Sequence, residues 1–263
     1  MDKICLGLPA YGAQTPNWWK PLLIQVSELY KQNIELVDIL DATVMATDYA
    51  RNSISYRFLD TDAEWLMWID ADNTLPLGTI RRLLDTGKSL VTGVYVNRVG
   101  EVKPIAYHRF TDGTYENIPE WRRGEIIPVD AAGMGATLTH RSVFEDILKD
   151  YRVLSRSSGG LLTVRKDGII GDIFDDASEP NDGKVVNGVL QERVYQTRKK
   201  LRVPFFYLEM GRTEDFPFYE MAKSVGHQLW LDTSVEVGHL QEGSRTPADY
   251  RAERKSDATV SNR

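Results

Sequence analysis

Short apolar runs alternate with amphipathic segments along the first part of the chain. Four of these runs have the length and composition of buried strands, namely residues 3–8, 34–40, 65–69 and 89–96. The segments between them carry apolar residues at helical spacing and are predicted as helices, namely residues 22–30, residues 46–59 and the segment that begins near Pro76. Strands and helices in this alternation favour an α/β sandwich with a mostly parallel sheet.

The second part of the chain continues the pattern less regularly. Strands are predicted over residues 104–110, 125–130, 204–208 and 229–237, and helices over residues 139–148 and 214–225. Residues 155–200 instead hold a Ser/Gly stretch, an acidic run and a basic run, which is typical of a mobile functional insert. We therefore expect one domain over residues 1–240, with a polar insert at about 155–200 and a polar tail over 241–263.

Composition narrows the classes of protein to consider. Hydrophobic residues make up 42% of the 263 positions and charged residues 27%, enough for a real core. The net charge of −6 argues against a protein devoted to polyanions. The single cysteine, Cys5, excludes an internal disulfide framework. No run approaches the about 18 apolar residues of a membrane helix, so we expect a cytoplasmic protein without an integral membrane segment.

Two carboxylates follow the most apolar of the predicted strands. Asp70 and Asp72 come directly after residues 65–69, and ligands of open α/β sheets bind beyond the carboxyl ends of the strands. On an extended backbone the two side chains point the same way and can converge on one hard divalent cation. The competing interpretation is a polar turn that stops a strand, although two like charges beside a buried strand are costly without a cation.

Two further positions carry candidate chemistry. Glu214 and Asp215 open a predicted helix, where they either stabilise the helix dipole or include a general base. His239 ends a predicted strand, and it is either a structural residue or a ligand that completes a Mn²⁺ site begun by carboxylates. These residues alone leave both choices open.

Four groups of residues in this order resemble the GT-A-fold glycosyltransferases, in particular the family-2-like enzymes and their phage-encoded relatives. They are residues 65–72 (WLMWIDAD), residues 133–145 (GMGATLTHRSVFE), residues 214–215 (ED), and residues 226–232 (GHQLWLD) with 237–240 (VGHL). The resemblance covers about residues 3–240 apart from the insert. It implies the GT-A fold, a Rossmann-like three-layer α/β/α sandwich with a mostly parallel central sheet.

The resemblance also implies an activity. It predicts a metal-dependent, hexosyltransferase-type enzyme that moves a sugar from a nucleotide-diphosphate sugar, expected to be a UDP-sugar, to an acceptor hydroxyl. Asp72 and His239 would bind Mn²⁺ or Mg²⁺, with Asp70 at the ribose or in the metal shell. Asp215 would be the base of an inverting reaction, with Glu214 beside it.

The same resemblance implies a nucleotide site and a sugar pocket. Pro9, Ala10 and Tyr11, at the end of the first strand, would pack against the nucleobase. Arg51 resembles a recurrent contact to the base or phosphate. Gly133 would line the pocket for the acceptor and the sugar.

Several alternatives stay open. Retaining enzymes of the same fold share the paired aspartates and the late histidine. The insert occupies the usual acceptor-side region, so the resemblance does not identify the acceptor. A glycan, a small molecule and a hydroxymethylated base of phage DNA all stay open, and the basic run at 193–202 would suit the DNA backbone. A nucleotidyltransferase would need a glycine-rich, lysine-bearing loop after the first strand, and residues 7–12 (GLPAYG) are not one. A non-catalytic sugar-binding module is the third class, and no pattern indicates the oligomeric state.

Overall fold

The computed structural model describes residues 1–10, 16–43, 46–97, 102–155, 161–166, 168–173, 185–186, 189–190, 202–209 and 211–239. The helices are α1 (Pro16–Lys31), α2 (Thr47–Leu59), α3 (Thr79–Asp85), α4 (Arg141–Asp150) and α5 (Asp215–Ser224). The strands are β1 (Asp2–Ala10), β2 (Ile34–Thr43), β3 (Trp65–Trp68), β4 (Asn73–Thr74), β5 (Leu90–Val94), β6 (Ala106–Arg109), β7 (Tyr115–Asn117), β8 (Ile126–Val129), β9 (Ala131–Ala132), β10 (Thr137–His140), β11 (Tyr151–Ser155), β12 (Leu161–Arg165), β13 (Gly168–Ile173), β14 (Val185–Val186), β15 (Val189–Leu190), β16 (Leu229–Glu236) and β17 (Gly238–His239).

The largest sheet has seven strands in the order β2-β1-β3-β10-β5-β16-β8. Strand β1 pairs in parallel with β2 and β3, and β5 pairs in parallel with β16. Strands β10 and β8 run against their neighbours, so five of the seven strands share one direction. The prediction of a mixed α/β protein with a mostly parallel central sheet is confirmed.

Side chains alternate between the two faces of this sheet, and helices cover both faces. On one face Cys5, Leu66 and Trp68 belong to a buried cluster with residues of α2, α4 and α5. On the other face Leu6 and Met67 belong to a cluster with residues of α1 and α3. Strands that are buried on both sides need apolar residues at successive positions, which is why they are visible in the sequence as continuous apolar runs.

The antiparallel strand β10 brings a glycine-containing segment to the carboxyl edge of the sheet. Because β10 runs against β3, its start lies beside the end of β3. The amide of Asp70 donates to the carbonyl of Gly135 at 3.2 Å, which joins the two segments. The short β17–β4 pair adds a third segment to this edge, with Gly238 opposite Thr74 and His239 opposite Asn73.

One predicted helix starts later than expected, and one predicted strand is wrong. The predicted helix over 139–148 begins only at Arg141, because residues 137–140 form β10 and the His140 ring accepts a hydrogen bond from the Ser142 amide at the helix start. The predicted strand over 204–208 does not form. The Asn52 side chain takes the place of a neighbouring strand: its Oδ1 accepts from the amides of Phe205 and Phe206, and its Nδ2 donates to the Phe206 carbonyl.

The region expected to be an insert is only partly described. Strands β11, β12 and β13 form a three-stranded antiparallel sheet, and β14 pairs with β15. The tail over 241–263 lies outside the described residues. Of the helices that are described, none is long and apolar enough to cross a membrane.

Candidate active site

A buried arginine lies at the centre of the candidate site. Arg51, near the start of α2, is only 2% exposed. Its Nε donates to Glu214 Oε1 at 3.0 Å, and its Nη2 donates to both carboxylate oxygens of Asp70, at 3.0 and 3.1 Å. The guanidinium carbon lies 5.6 Å from the ring centroid of Trp68. Arg51 thus joins the loop after β3 to the segment before α5.

The burial of Arg51 has a signal in the sequence that the family resemblance did not include. Arg51 precedes Ile54 and Ser55 by three and four positions, and all three belong to the buried residues of α2. Residues three or four positions apart share one helix face. A charged side chain on the buried face of a helix requires partners, and the carboxylates supply them.

Burial changes the proton affinity of Asp215. It is the first residue of α5, and it and Glu214 are 8% and 7% exposed. Burial and the nearby charge of Glu214 raise the pKa of Asp215 to about 6, whereas the hydrogen bond from Thr213 and the charge of Arg51 act in the opposite direction. A carboxylate in this range is mostly ionised at neutral pH and accepts a proton more readily than an ordinary one.

Asp70 and Asp72 lie close enough to interact. Burial is the main reason that the pKa of Asp70 is raised; Arg51 opposes this increase, and the charge of Asp72 adds to it. Beside them, Asn73 is 3% exposed, and both polar atoms of its side chain are buried without a hydrogen-bond partner in the described part of the chain. Hard carboxylate oxygens here fit a divalent cation such as Mn²⁺ or Mg²⁺ in their chemistry.

Two glycines allow close approach at this edge. A Cβ atom at position 135 would lie 2.1 Å from the Asn73 Nδ2 and 2.6 Å from an Asp70 carboxylate oxygen, so only glycine fits there without displacing them. At Gly133 a Cβ atom would lie 1.9 Å from the Tyr95 hydroxyl. The resemblance pointed to Gly133, but it did not single out Gly135 or Asn73.

Two buried tyrosines support the glycine segment. The Tyr95 hydroxyl accepts a hydrogen bond from the Gly135 amide at 3.2 Å, and the Tyr219 hydroxyl lies 3.4 Å from the Gly133 carbonyl and 3.0 Å from the Met134 sulfur. Burial raises the pKa of both phenols, so they stay neutral hydrogen-bonding groups. The segment before β10 is therefore rigidly positioned beside Asp70.

The remaining predicted residues are placed only in part. Pro9 and Ala10 are buried at the end of β1, whereas Tyr11 lies outside the described residues. The backbone of His239 lies opposite that of Asn73, one residue from Asp72, but the His239 side chain is not among those described.

Among the side chains that are described, no group of three or more His, Cys, Asp or Glu residues is placed to hold a metal ion. A small cavity opens between α1 and the segment after β3; it is lined by Pro21, Leu22, Gln25, Ile69, Asn73 and Leu75. Asn73 thus borders both this cavity and the carboxylates.

Known proteins resemble this chain only distantly. No family model and no curated protein matches the sequence. Among solved structures, the chain is similar to A197 from STIV, at 15% identity and a TM-score of 0.47 over 92% of this chain and 87% of that one. It is similar to GalNAc-T7 with UDP, GalNAc and Mn²⁺, at 9% identity and a TM-score of 0.44 over 91% of this chain and 44% of that one.

A third similar structure is a glycosyltransferase involved in the glycosylation of the major capsid of PBCV-1, at 13% identity and a TM-score of 0.30 over 54% of this chain and 61% of that one. The chain thus spans less than half of the GalNAc-T7 chain. Likenesses this distant assign the chain to no family. The chain is a mixed α/β protein in which a buried arginine binds carboxylates at the carboxyl edge of the sheet.

Proposed function

We propose that this protein is a metal-dependent glycosyltransferase of the GT-A type, which transfers a sugar from a nucleotide-diphosphate sugar to an acceptor hydroxyl. One observation carries the proposal: at the carboxyl edge of the sheet Arg51 binds one member of each of two acidic pairs, Asp70 of the pair 70/72 and Glu214 of the pair 214/215. Sugar transfer of this kind needs one group of carboxylates for a cation and another for the acceptor proton.

The pair Asp70 and Asp72 is the proposed cation side, with His239 as the third ligand. The register of β17 against β4, which brings the His239 backbone beside Asn73, supports this assignment. A bound Mn²⁺ or Mg²⁺ would supply a Lewis acid that stabilises the negative charge developing on the departing nucleoside diphosphate. The raised pKa of Asp70 is consistent with carboxylates that gain from a nearby positive charge.

Asp215 is the proposed general base. Its neighbour Glu214 is bonded to Arg51, whereas Asp215 is bonded to the hydroxyl of Thr213 and has a pKa of about 6. Asp215 would take the proton from the acceptor hydroxyl as that oxygen attacks the anomeric carbon, which corresponds to inversion. The donor is expected to be a UDP-sugar, with the nucleobase at Pro9, Ala10 and Tyr11.

The identity of the acceptor, the single-domain organisation and the cytoplasmic location all remain predictions. Of the basic run at 193–202 only Arg202 is described, and its guanidinium lies 4.6 Å from the Tyr56 ring centroid. Glycan, small molecule and hydroxymethylated DNA therefore all belong in the assay. A contact of Arg51 with the nucleotide also remains a prediction, because its described hydrogen bonds are to carboxylates.

The experiment is an incubation of the protein with Mn²⁺ or Mg²⁺, a panel of nucleotide sugars and each class of acceptor, in which nucleoside diphosphate release and product mass are measured. We expect release with one donor, its loss on chelation, and its loss in Asp72→Asn and Asp215→Asn. Asp85→Asn, an exposed carboxylate bonded to Arg81, is the control and should leave turnover unchanged. Absence of release with every donor and cation would overturn the proposal.

A further inference from the structure

Three chain segments that are distant in sequence meet at one guanidinium. Arg51 lies on α2, Asp70 follows β3, and Glu214 precedes α5; the bonded pairs are 19 and 163 residues apart. Two of the three guanidinium nitrogens bind these carboxylates, and the third, Nη1, is buried without a hydrogen-bond partner in the described part of the chain.

Stability alone gives a weak reason for this arrangement. The side chains of Arg51 and Glu214 are only 3% and 10% exposed, and that of Asp70 is 26% exposed. Removing such ionised groups from water carries a desolvation cost, and apolar side chains of similar volume are often as stable or more so. The unbonded Nη1 adds a further cost. Apolar residues, however, could not hold two like-charged carboxylates at a fixed separation while both stay ionised.

We infer that Arg51 is a positioning residue that sets the distance and orientation between the donor-side carboxylate Asp70 and the acceptor-side pair Glu214–Asp215. The inference rests on the proposed function and deepens it. The resemblance implied that this arginine contacts the nucleotide, whereas the inferred role is to position the carboxylates. Arg51 acts through the carboxylates it holds, so the sugar and the attacking hydroxyl are aligned by groups that share one rigid link.

The surroundings of Arg51 make that link rigid. Trp68 lies against the guanidinium and is fully buried two residues before Asp70. The next residue on α2, Asn52, holds the backbone of Phe205 and Phe206 by three hydrogen bonds. Helix α2 is therefore attached both to the strand end that carries Asp70 and to the chain that leads into Glu214.

Arginine is suited to this role in a way that lysine is not. Its planar guanidinium presents several donors in fixed directions, so one side chain can bind two carboxylates at once. An ammonium group on a flexible stem can neutralise them but cannot fix both. Lysine at position 51 should therefore restore part of the charge balance and only part of the alignment.

The test compares steady-state kinetics of the wild type with Arg51→Met and Arg51→Lys, using the donor and cation found in the transfer assay. Misplacement of reacting groups by about 1 Å costs about 10²-fold in rate, so we expect Arg51→Met to lower kcat by about that factor. The donor KM should change by less than about threefold. Arg51→Lys should recover part of kcat.

Arg57→Met is the matched control, because Arg57 is an exposed arginine of the same helix that donates to the Asp41 carbonyl; its kinetics should equal those of the wild type. A second variant covers the case in which Arg51→Met does not fold. In Arg51→Met with Glu214→Gln the uncompensated charge of Glu214 is removed, and we expect stability to recover while kcat stays below that of Glu214→Gln alone.

The outcomes separate the hypotheses. A raised donor KM with unchanged kcat would show a nucleotide contact and overturn the positioning role. A folded double variant with the kcat of Glu214→Gln alone would also overturn it. An inactive wild type would overturn the proposed function itself, whereas an active wild type with insensitive Arg51 variants would overturn this inference alone.

Discussion

Burial changes what a single carboxylate can do at this site. The pKa of Asp215 is raised to about 6 mainly because its charge is removed from water, and secondarily because Glu214 repels it. Thr213 and Arg51 limit the increase, since both favour the ionised form. The pKa of Asp215 is thus set by burial and by three neighbouring residues, and a change in any of the three should be visible in the pH dependence.

The pH profile of transfer tests this tuning. We expect kcat/KM to rise with pH through about 6 and then to level off, because Asp215 accepts a proton only when it is ionised. Thr213→Ala should move the rise to higher pH, since its hydroxyl lowers the pKa of Asp215. Thr86→Ala, at the end of α3, is the control and should leave the pH profile unchanged. If Thr213→Ala also leaves it unchanged, Asp215 is not the group that titrates.

The same side chain should weaken the fold at neutral pH. The pKa of Asp215 is higher in the folded state than its ordinary value of 3.8, so the folded protein binds the proton more tightly and its stability falls as pH rises from about 4 to about 6. Asp215→Asn should therefore raise the free energy of unfolding by about 1–3 kcal/mol at pH 7. Urea unfolding at pH 4 and pH 7 checks this, and an equal effect at both pH values would refute it.

Helix α2 connects the core to the site. Its apolar residues pack against the sheet, Arg51 binds two carboxylates, and Asn52 supports the chain at 205–206. In the segment 202–209 the Asn52 amide satisfies the Phe205 amide and both backbone groups of Phe206, and the Tyr56 hydroxyl donates to the Val203 carbonyl. These buried backbone groups therefore need no strand partner. That is the physical reason why an apolar run with strand character forms no strand here.

Removal of this side-chain support should loosen the segment. Asn52→Ala leaves the amides of Phe205 and Phe206 without their acceptor, and we expect a loss of about 2–4 kcal/mol in stability. Hydrogen exchange should become faster at those two amides. Ser53→Ala, at the next position of the helix, is the control and should leave both the unfolding free energy and the exchange at 205–206 within error of the wild type.

For the molecule as a whole, folding assembles the candidate site from segments that lie as far as 163 positions apart in the chain. A ligand that binds only the folded state stabilises it by mass action. We therefore expect Mn²⁺ together with UDP to raise the Tm of the wild type, and to have little effect on Asp72→Asn. An equal rise in both proteins would place the cation elsewhere.

Local features were readable from the sequence because they depend on neighbours in the chain. The apolar runs predicted most of the central strands, and helical spacing predicted α2 and α5. The place of Asp70 and Asp72 after a buried strand predicted the sheet edge at which these carboxylates lie. Strand β10 was missed, because four residues that lead into a helix differ little in pattern from its first turn.

Only the tertiary structure decided how these residues are used. The bonds of Arg51 to Asp70 and Glu214, the close approach of Gly135 to Asn73 and Asp70, and the support of residues 205–206 by Asn52 all join segments that are separate in the chain. The sequence alone determined an α/β sheet with acidic residues at its edge. Which charges meet, and how far burial shifts their pKa values, depends on the packing of elements that share no local pattern.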